Sequence, residues 1–469
     1  MLGTHHPSLF THHALITGHL FPHHRSLITH HRIPMAQELE LEWWRPQTAQ
    51  EAPLRETAVD TDQAAVPFWS VMAFTGVLLF SPQTYVPALA PLRPALLIIL
   101  VGVLSYVSDR WARGLPIFEW NRESGLIAGL GLLAALTVPF SIWPGGSLAV
   151  LFDYAKTATI FFLLSHVVTT LSRLRLAAWL LTWMAIGLGL FALYNSLTGA
   201  VIDQGANQDR LVGNEGALTK NPNDLALMVN LLLPLSVGLF FASKEAWQRV
   251  FLLAAIGMEA VTVVLTYSRG GALTLGVILL VYFWKLRRRR ERSFLYAGLL
   301  AALLALPVLP SSYVDRMSTI TNVEADRTGS AQERMSDMII AAKTIMANPL
   351  IGAGMGMNML VMREARGGWL GVHNVYLEHA LDLGLIGLGM FVLLLWSCIR
   401  AVARIQEQSS SPELVFLAQG LEISLIAYAT AAMFHPVSYQ YYFYYIAGLA
   451  IGARTIAGAS RGRASEVEA

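Results

Sequence analysis

Four residues stand at polar breaks between long apolar runs and carry side chains capable of chemistry: Arg210, Arg269, Arg334 and His373. An arginine offers a planar, permanently charged fork of donors that matches the oxygens of a phosphate or carboxylate. A histidine titrates near neutrality and can take a proton from an attacking hydroxyl. Each also has an ordinary explanation. Arg269, within Tyr267-Ser268-Arg269-Gly270-Gly271, could snorkel from a helix end into the headgroup layer. Arg210 follows Asp209 and Arg334 follows Glu333, which suits surface ion pairs, and a lone histidine such as His373 is more often structural. What singles the four out is that they fall on one side of a membrane once the chain is threaded through it.

The threading follows from composition. Of 469 residues, 55% are hydrophobic and only 14% charged, and the mean hydropathy is +0.50. A soluble domain carries about 25% charged residues, so the deficit points to lipid as the solvent. A spanning helix needs about 20 mostly apolar residues. Such runs lie near 67–81, 88–107, 124–142, 148–168, 176–197, 223–242, 250–266, 271–284, 294–309, 375–399, 414–433 and 439–453. The expected fold is an all-α integral membrane protein with about twelve transmembrane helices and a long, partly helical periplasmic loop between helices 9 and 10.

Basic residues in short loops set the orientation. Lys285, Arg287, Arg288, Arg289, Arg290 and Arg292 mark one connection as cytoplasmic, and counting outward in both directions places Arg110/Arg113/Arg122, Arg173/Arg175, Lys244/Arg249, Arg400/Arg404 and Arg454/Arg461/Arg463 on that same side. Both termini are then expected in the cytoplasm, in a multi-pass membrane protein. The net charge of +2 is spread over short loops and gives no nucleic-acid face. The single cysteine, Cys398, excludes an intrachain disulfide and a cysteine-ligated metal.

The organisation expected is a polar cytoplasmic tail over 1–66, membrane helices 1–9 over 67–310, a periplasmic loop over 311–373, helices 10–12 over 374–456 and a short tail over 457–469. Residues 1–34 hold most of the histidines without an apolar core, so they are read as a translated upstream region with Met35 as the start rather than as a signal peptide or metal-binding tail. In the long loop, Ser330-Ala331-Gln332-Glu333 fits a capping box, with Ser330 as N-cap. Met335, Met338, Ile339, Ala342, Ile345 and Met346 then make one apolar helical face that ends at Asn348-Pro349. Such a helix should lie on the membrane surface or roof the bundle. Gly352-Ala353-Gly354-Met355-Gly356 reads as a flexible crossing to His373-Asn374.

These segments, taken in order, resemble the O-antigen ligase/polymerase superfamily of bacterial envelopes. The resemblance rests on Arg210-Leu-Val-Gly, Asn221-Pro-Asn-Asp224 and Thr266-Tyr-Ser-Arg-Gly-Gly-Ala272. It continues through Glu333-Arg334, Asn348-Pro-Leu-Ile-Gly-Ala-Gly354, His373-Asn-Val-Tyr-Leu-Glu378 and Gly384-Leu-Ile-Gly387, from about Arg210 to Leu395. It implies transfer of a glycan from an undecaprenyl-diphosphate carrier to an acceptor hydroxyl on lipid, glycan or protein, outside the cytoplasm and without cofactor or metal. Arg269, Arg334 and, more weakly, Arg210 match diphosphate-binding arginines, and His373 the catalytic histidine. Ser268, Gly270 and Asn374 are expected to support them. A ligase is favoured over a polymerase or protein O-glycan ligase, because the loop is compact enough for one lid over one site.

Other patterns are discounted. Asp60-Thr61-Asp62 mimics a metal-binding DxD but sits in a short tail. His373 and His379 are six residues apart, which does not put two zinc ligands on one helical face. Glu378 and Asp382 suit the positive end of a helix. The competing class is a secondary transporter, for which Asp153, Lys156 and Glu259 within apolar runs are the markers. No internal repeat supports it.

Overall fold

The computed structural model describes residues 65–198, 202–203, 209–213, 218–322, 324, 329–366 and 371–468. The expectations for the N-terminal tail, including Asp60-Thr61-Asp62, lie outside these. The described chain is a helical bundle: α1 (Ala65–Phe80), α2 (Pro82–Tyr85), α3 (Pro94–Ala112), α4 (Arg122–Thr137), α5 (Pro144–Val167), α6 (Leu171–Leu197), α7 (Pro222–Ala242) and α8 (Ala246–Leu265). It continues with α9 (Arg269–Leu286), α10 (Arg292–Ala305), α11 (Ser311–Ser318), α12 (Ser330–Ala347), α13 (Asn358–Arg366), α14 (Val375–Gln408), α15 (Pro412–Ala431) and α16 (Tyr441–Glu468). The one ladder described is a two-residue antiparallel bridge, Ile202–Asp203 with Asp209–Arg210.

Every predicted span falls on a helix, and nine of those helices are long and apolar enough by themselves to cross a membrane. Of the other three, α1 and α10 are short, with 16 and 14 residues. The third, α16, opens on a run of tyrosines and continues through Glu468, past the tail expected at 457, because its Ala- and Arg-rich sequence sustains a helix. The protein is therefore a multi-pass, all-α membrane protein.

α7 forms the centre, with 83% of its apolar window buried, and α15 lies against it with 72%. Their backbones approach closely because each helix sets a glycine against the other's backbone. A Cβ on Gly238 would come within 2.8 Å of the Phe416 carbonyl, and one on Gly420 within 2.6 Å of the Pro234 carbonyl. At the other extreme α3 is mostly exposed and packs on α1, where a Cβ on the buried Gly102 would come within 2.9 Å of Ser70. The Asp153–Lys156 pair is likewise on the outside, at 2.6 Å with both side chains more than half exposed. It lines no interior path.

The long loop before α14 is anchored through a break in that helix. Gly384 is in a left-handed, non-helical conformation (φ 69°) that interrupts the helix. The backbone groups freed there are taken by the glycine-rich crossing: Ala353 N–H donates to the Leu381 carbonyl (2.7 Å), Gly354 N–H to that of Asp382 (2.9 Å) and Leu385 N–H to that of Pro349 (2.8 Å). The Asp382 carboxylate, fully buried, then accepts from Gly356 N–H (2.9 Å), Asn358 N–H (2.7 Å) and the Tyr439 hydroxyl (3.1 Å). The crossing is thus strapped down rather than flexible, and Asp382 holds it instead of complementing a helix end. α14 is capped by Asn374, whose Oδ1 accepts from Tyr376 and Leu377 N–H, while Glu378 is hydrogen-bonded to Ser438. Removing the Asp382 carboxylate orphans several buried donors, each costing about 1–3 kcal/mol. Asp382→Ala is expected to lower the melting temperature of the detergent-solubilised protein by several degrees, and an unchanged melt would contradict the strap.

Candidate functional site

The site is built at the ends of α7, α9 and α14 and the beginning of α12. The α8–α9 turn requires Tyr267 in a left-handed conformation (φ 53°). Ser268 then caps α9: its Oγ accepts from Gly271 N–H (3.1 Å) and donates to Asn223 Oδ1 (2.8 Å). Gly270 and Gly271 permit close packing, since a Cβ would come within 3.1 Å of Phe434 at the first and 2.6 Å of Ala226 at the second.

This turn aims Arg269 into the outer loop. Its guanidinium donates from Nη1 to Thr319 Oγ1 (2.9 Å) and from Nη2 to Ser330 Oγ (2.7 Å). Ser330 is therefore not the expected N-cap. Gly329 (φ 67°) holds that position, and Ser330 is the first helical residue, its hydroxyl engaged by Arg269. The capping-box pattern was overridden by a partner sixty-one residues away in sequence.

Arg210 is buried, although its sequence context suggested a surface pair. Its Nε donates to the Thr266 carbonyl (2.8 Å) and its Nη2 to Asn223 Oδ1 (3.1 Å). Arg316 of α11, which sequence reading missed, donates from Nε to the Tyr267 carbonyl (2.9 Å). Burial, and then the charges of Arg316, Arg334 and Arg269, push the Arg210 pKa down to about 9. That mutual repulsion marks the four guanidiniums as one cationic cluster.

Arg334 and His373 meet across a cavity of about 110 Å³, which Asn221, Asn223, Asp224, Phe434, His435 and Gln440 also line. Asn374, by capping α14, fixes the chain immediately after His373. Burial pushes the His373 pKa down to about 4, reinforced by the charges of Arg334 and His435 and opposed by Asp337 and the Gly371 backbone. His373 Nδ1 is buried, and no partner reaches it in good hydrogen-bond geometry. The imidazole is therefore neutral at pH 7 and able to accept a proton.

His435 was also missed. It is buried, its Nδ1 lies 2.9 Å from the Ala431 carbonyl and its Nε2 3.1 Å from that of Asn223. The apolar context of Phe434-His435-Pro436 gave no sign of this. His379 stands apart from the site, stacked on Phe391 at 4.2 Å between ring centres.

The fold and this geometry define a multi-pass membrane protein with a cationic cluster and a neutral histidine gathered where several helix ends meet. Residues 250–392 match the family model described as O-antigen ligase, which supports the O-antigen ligase superfamily for this membrane body. The match includes Arg269, Arg316, Arg334 and His373 and leaves out Arg210, Asn223 and His435. Among solved structures, one similar chain comes from "Structural coordination of polymerization and crosslinking by a peptidoglycan synthase complex". It is 18% identical, with 72% of this chain and 97% of that one covered and a TM-score of 0.42. No curated protein sequence matches.

If Arg334 is what holds His373 low beyond burial, Arg334→Gln should raise the histidine pKa by about one unit or more, toward its usual 6.5. Histidine NMR titration of the full-length protein, with His373→Gln supplying the assignment, measures this. An unmoved titration would remove Arg334 from the electrostatics of the site.

Proposed function

We propose that the protein is a membrane glycan transferase of the O-antigen ligase type, moving a glycan from undecaprenyl diphosphate to an acceptor hydroxyl at the periplasmic face of the inner membrane, with both termini cytoplasmic. The observation that carries this reading is the convergence of Arg210, Arg269, Arg316 and Arg334 beside the cavity that holds His373.

In the reaction, the acceptor oxygen attacks the anomeric carbon while the bond from that carbon to the diphosphate breaks. The electron pair leaves with the diphosphate oxygen, and the hydroxyl proton passes to the neutral His373 ring. Arg269 and Arg334 stabilise the negative charge that develops on the leaving group, and the buried Arg210 holds the α8–α9 turn while adding to the potential. Arg316 braces the same turn through the Tyr267 carbonyl. Permanently charged forks supply what a metal ion supplies in other phosphoryl-linked chemistry. α12 covers the cavity and limits the access of water, which would otherwise hydrolyse the donor.

Within this class we favour a ligase, with a polymerase of lipid-linked repeats or a protein O-glycan ligase as alternatives. Transport is a weaker reading, because Asp153 and Lys156 are on the outer surface and Glu259 is held by Ser236 in the packed interior. Losing a charge clamp or a general base each costs about 10²–10⁴-fold. Arg269→Ala and His373→Ala should therefore each abolish detectable glycan attachment in cells while the protein still reaches the membrane. Normal attachment with both would overturn the mechanism. In a deletion strain, carrier-linked polymer should accumulate if the protein is a ligase, and single repeats if it is a polymerase.

A further inference from the structure

The apolar helix α5 carries two charges where a membrane protein seldom exposes any. Its 24 residues, Pro144–Val167, form one of the candidate spans and rise about 36 Å, against a hydrocarbon core of about 30 Å. Separate contacts fix its two ends near the two surfaces. Just before the helix, Ile142 N–H donates to the Ala353 carbonyl of the crossing. At its far end, His166 Nε2 accepts from Glu119 N–H in the α3–α4 connection, where Arg110 pairs with Glu119 at 2.8 Å. Asp153 and Lys156 fall about 14 and 18 Å along the axis from the first end. Even with all the surplus length standing clear of the lipid on that side, Asp153 would be about 7 Å inside it. Yet the two side chains are 68% and 59% exposed. Charged side chains at such depth almost always face protein or water rather than lipid. The surface around this pair therefore needs a cover that the described residues do not supply.

The pattern of the face shows which cover fits. Gly145, Ala149 and Asp153 form one row at four-residue spacing, and Leu148, Phe152 and Lys156 form the next; all six are exposed. Two small residues in the first row leave room for another helix backbone to come close. The charges add a condition. Lys156 Nζ reaches Asp153 Oδ1 at 2.6 Å, so the ammonium and the carboxylate already share one depth. A two-fold axis along the membrane normal brings the same face of a second copy opposite, in the same orientation. The four groups then alternate in sign around the axis, each carboxylate beside two ammoniums and all removed from lipid. We propose that this face of α5 is the contact surface for a second copy of the chain within the membrane, with Asp153 and Lys156 as its polar centre. A pair with both signs on one face is complementary to itself, whereas a partner bearing a net charge would leave one group uncompensated.

The test uses the full chain in membranes. Its single cysteine, Cys398, is fully buried, so a cysteine introduced at Leu148, Ala149 or Phe152, one at a time, reports on its own surroundings. Disulfides form only between residues whose Cα atoms lie within about 7 Å. Mild oxidation should therefore join two copies at one or more of these positions several-fold more than at Leu253→Cys, a control position 51% exposed on α8. The charges are tested by complementation between differently tagged copies. Asp153→Lys puts two ammoniums on the face and Lys156→Asp two carboxylates, so each variant alone should lose most of its co-purification with itself. Expressed together, the two should recover it, because signs again alternate across the axis, and the recovery shows that both fold. Cross-linking no stronger than the control at all three positions would overturn the proposal. So would products that join the chain only to a different protein, which would assign the face to another membrane partner. Failure of the paired variants to associate, with both in the membrane, would overturn the role given to the ion pair.

Discussion

Everything at the outer end of the bundle depends on how like charges are held close together, and Asn223 is the residue through which that is done. Its Oδ1 accepts from Ser268 Oγ and Arg210 Nη2, its carbonyl lies 3.1 Å from His435 Nε2, and its N–H is capped by Asn221. One residue at the head of the most buried helix thus joins the α8–α9 turn, the buried arginine and the α15–α16 connection. Among their hydrogen bonds, the guanidiniums of Arg210, Arg269 and Arg316 donate to the carbonyls of Thr266 and Tyr267, the hydroxyls of Thr319 and Ser330, and the amide oxygen of Asn223.

Irregular backbone next to a membrane is tolerated only where its polar groups are satisfied. Here the break at Gly384 and the crossing at 349–358 satisfy each other, carbonyl to N–H, with Asp382 closing the remaining donors. The same strap holds the chain just after α12 through Gly384 and Asp382 of α14, neither of which lines the cavity.

The architecture was legible in the sequence because lipid imposes a simple rule. Apolar runs of sufficient length must be helices, and among the described residues nine of the expected runs lie in helices long and apolar enough to span. The positions of Arg269, Arg334 and His373 were legible from family-like motifs. What the sequence did not reveal were partners chosen across long separations. Ser330 read as a cap until Arg269 claimed its hydroxyl, and Arg210 and Glu378 each read as exposed or local until burial assigned them distant acceptors or donors. The apolar stripe of α12 is exposed at Met335, Ile339 and Met346, while Ile345 packs against the cluster around Ala341.

The place of Arg334 across the cavity from His373 also gives the proposed site an internal order of events. Arg334 and Asp337 act on His373 with opposite sign, and with no anion bound the guanidinium and burial prevail. A diphosphate resting on Arg334 would offset that guanidinium's charge without touching Asp337. The balance at the histidine would shift toward protonation, strengthening the base only when a donor is in place. By linkage, anything that raises the histidine's proton affinity on anion binding must equally raise the affinity for the anion when the histidine is protonated. Proton transfer from the acceptor and stabilisation of the leaving diphosphate would then reinforce each other in the transition state, where such reinforcement increases rate rather than ground-state binding.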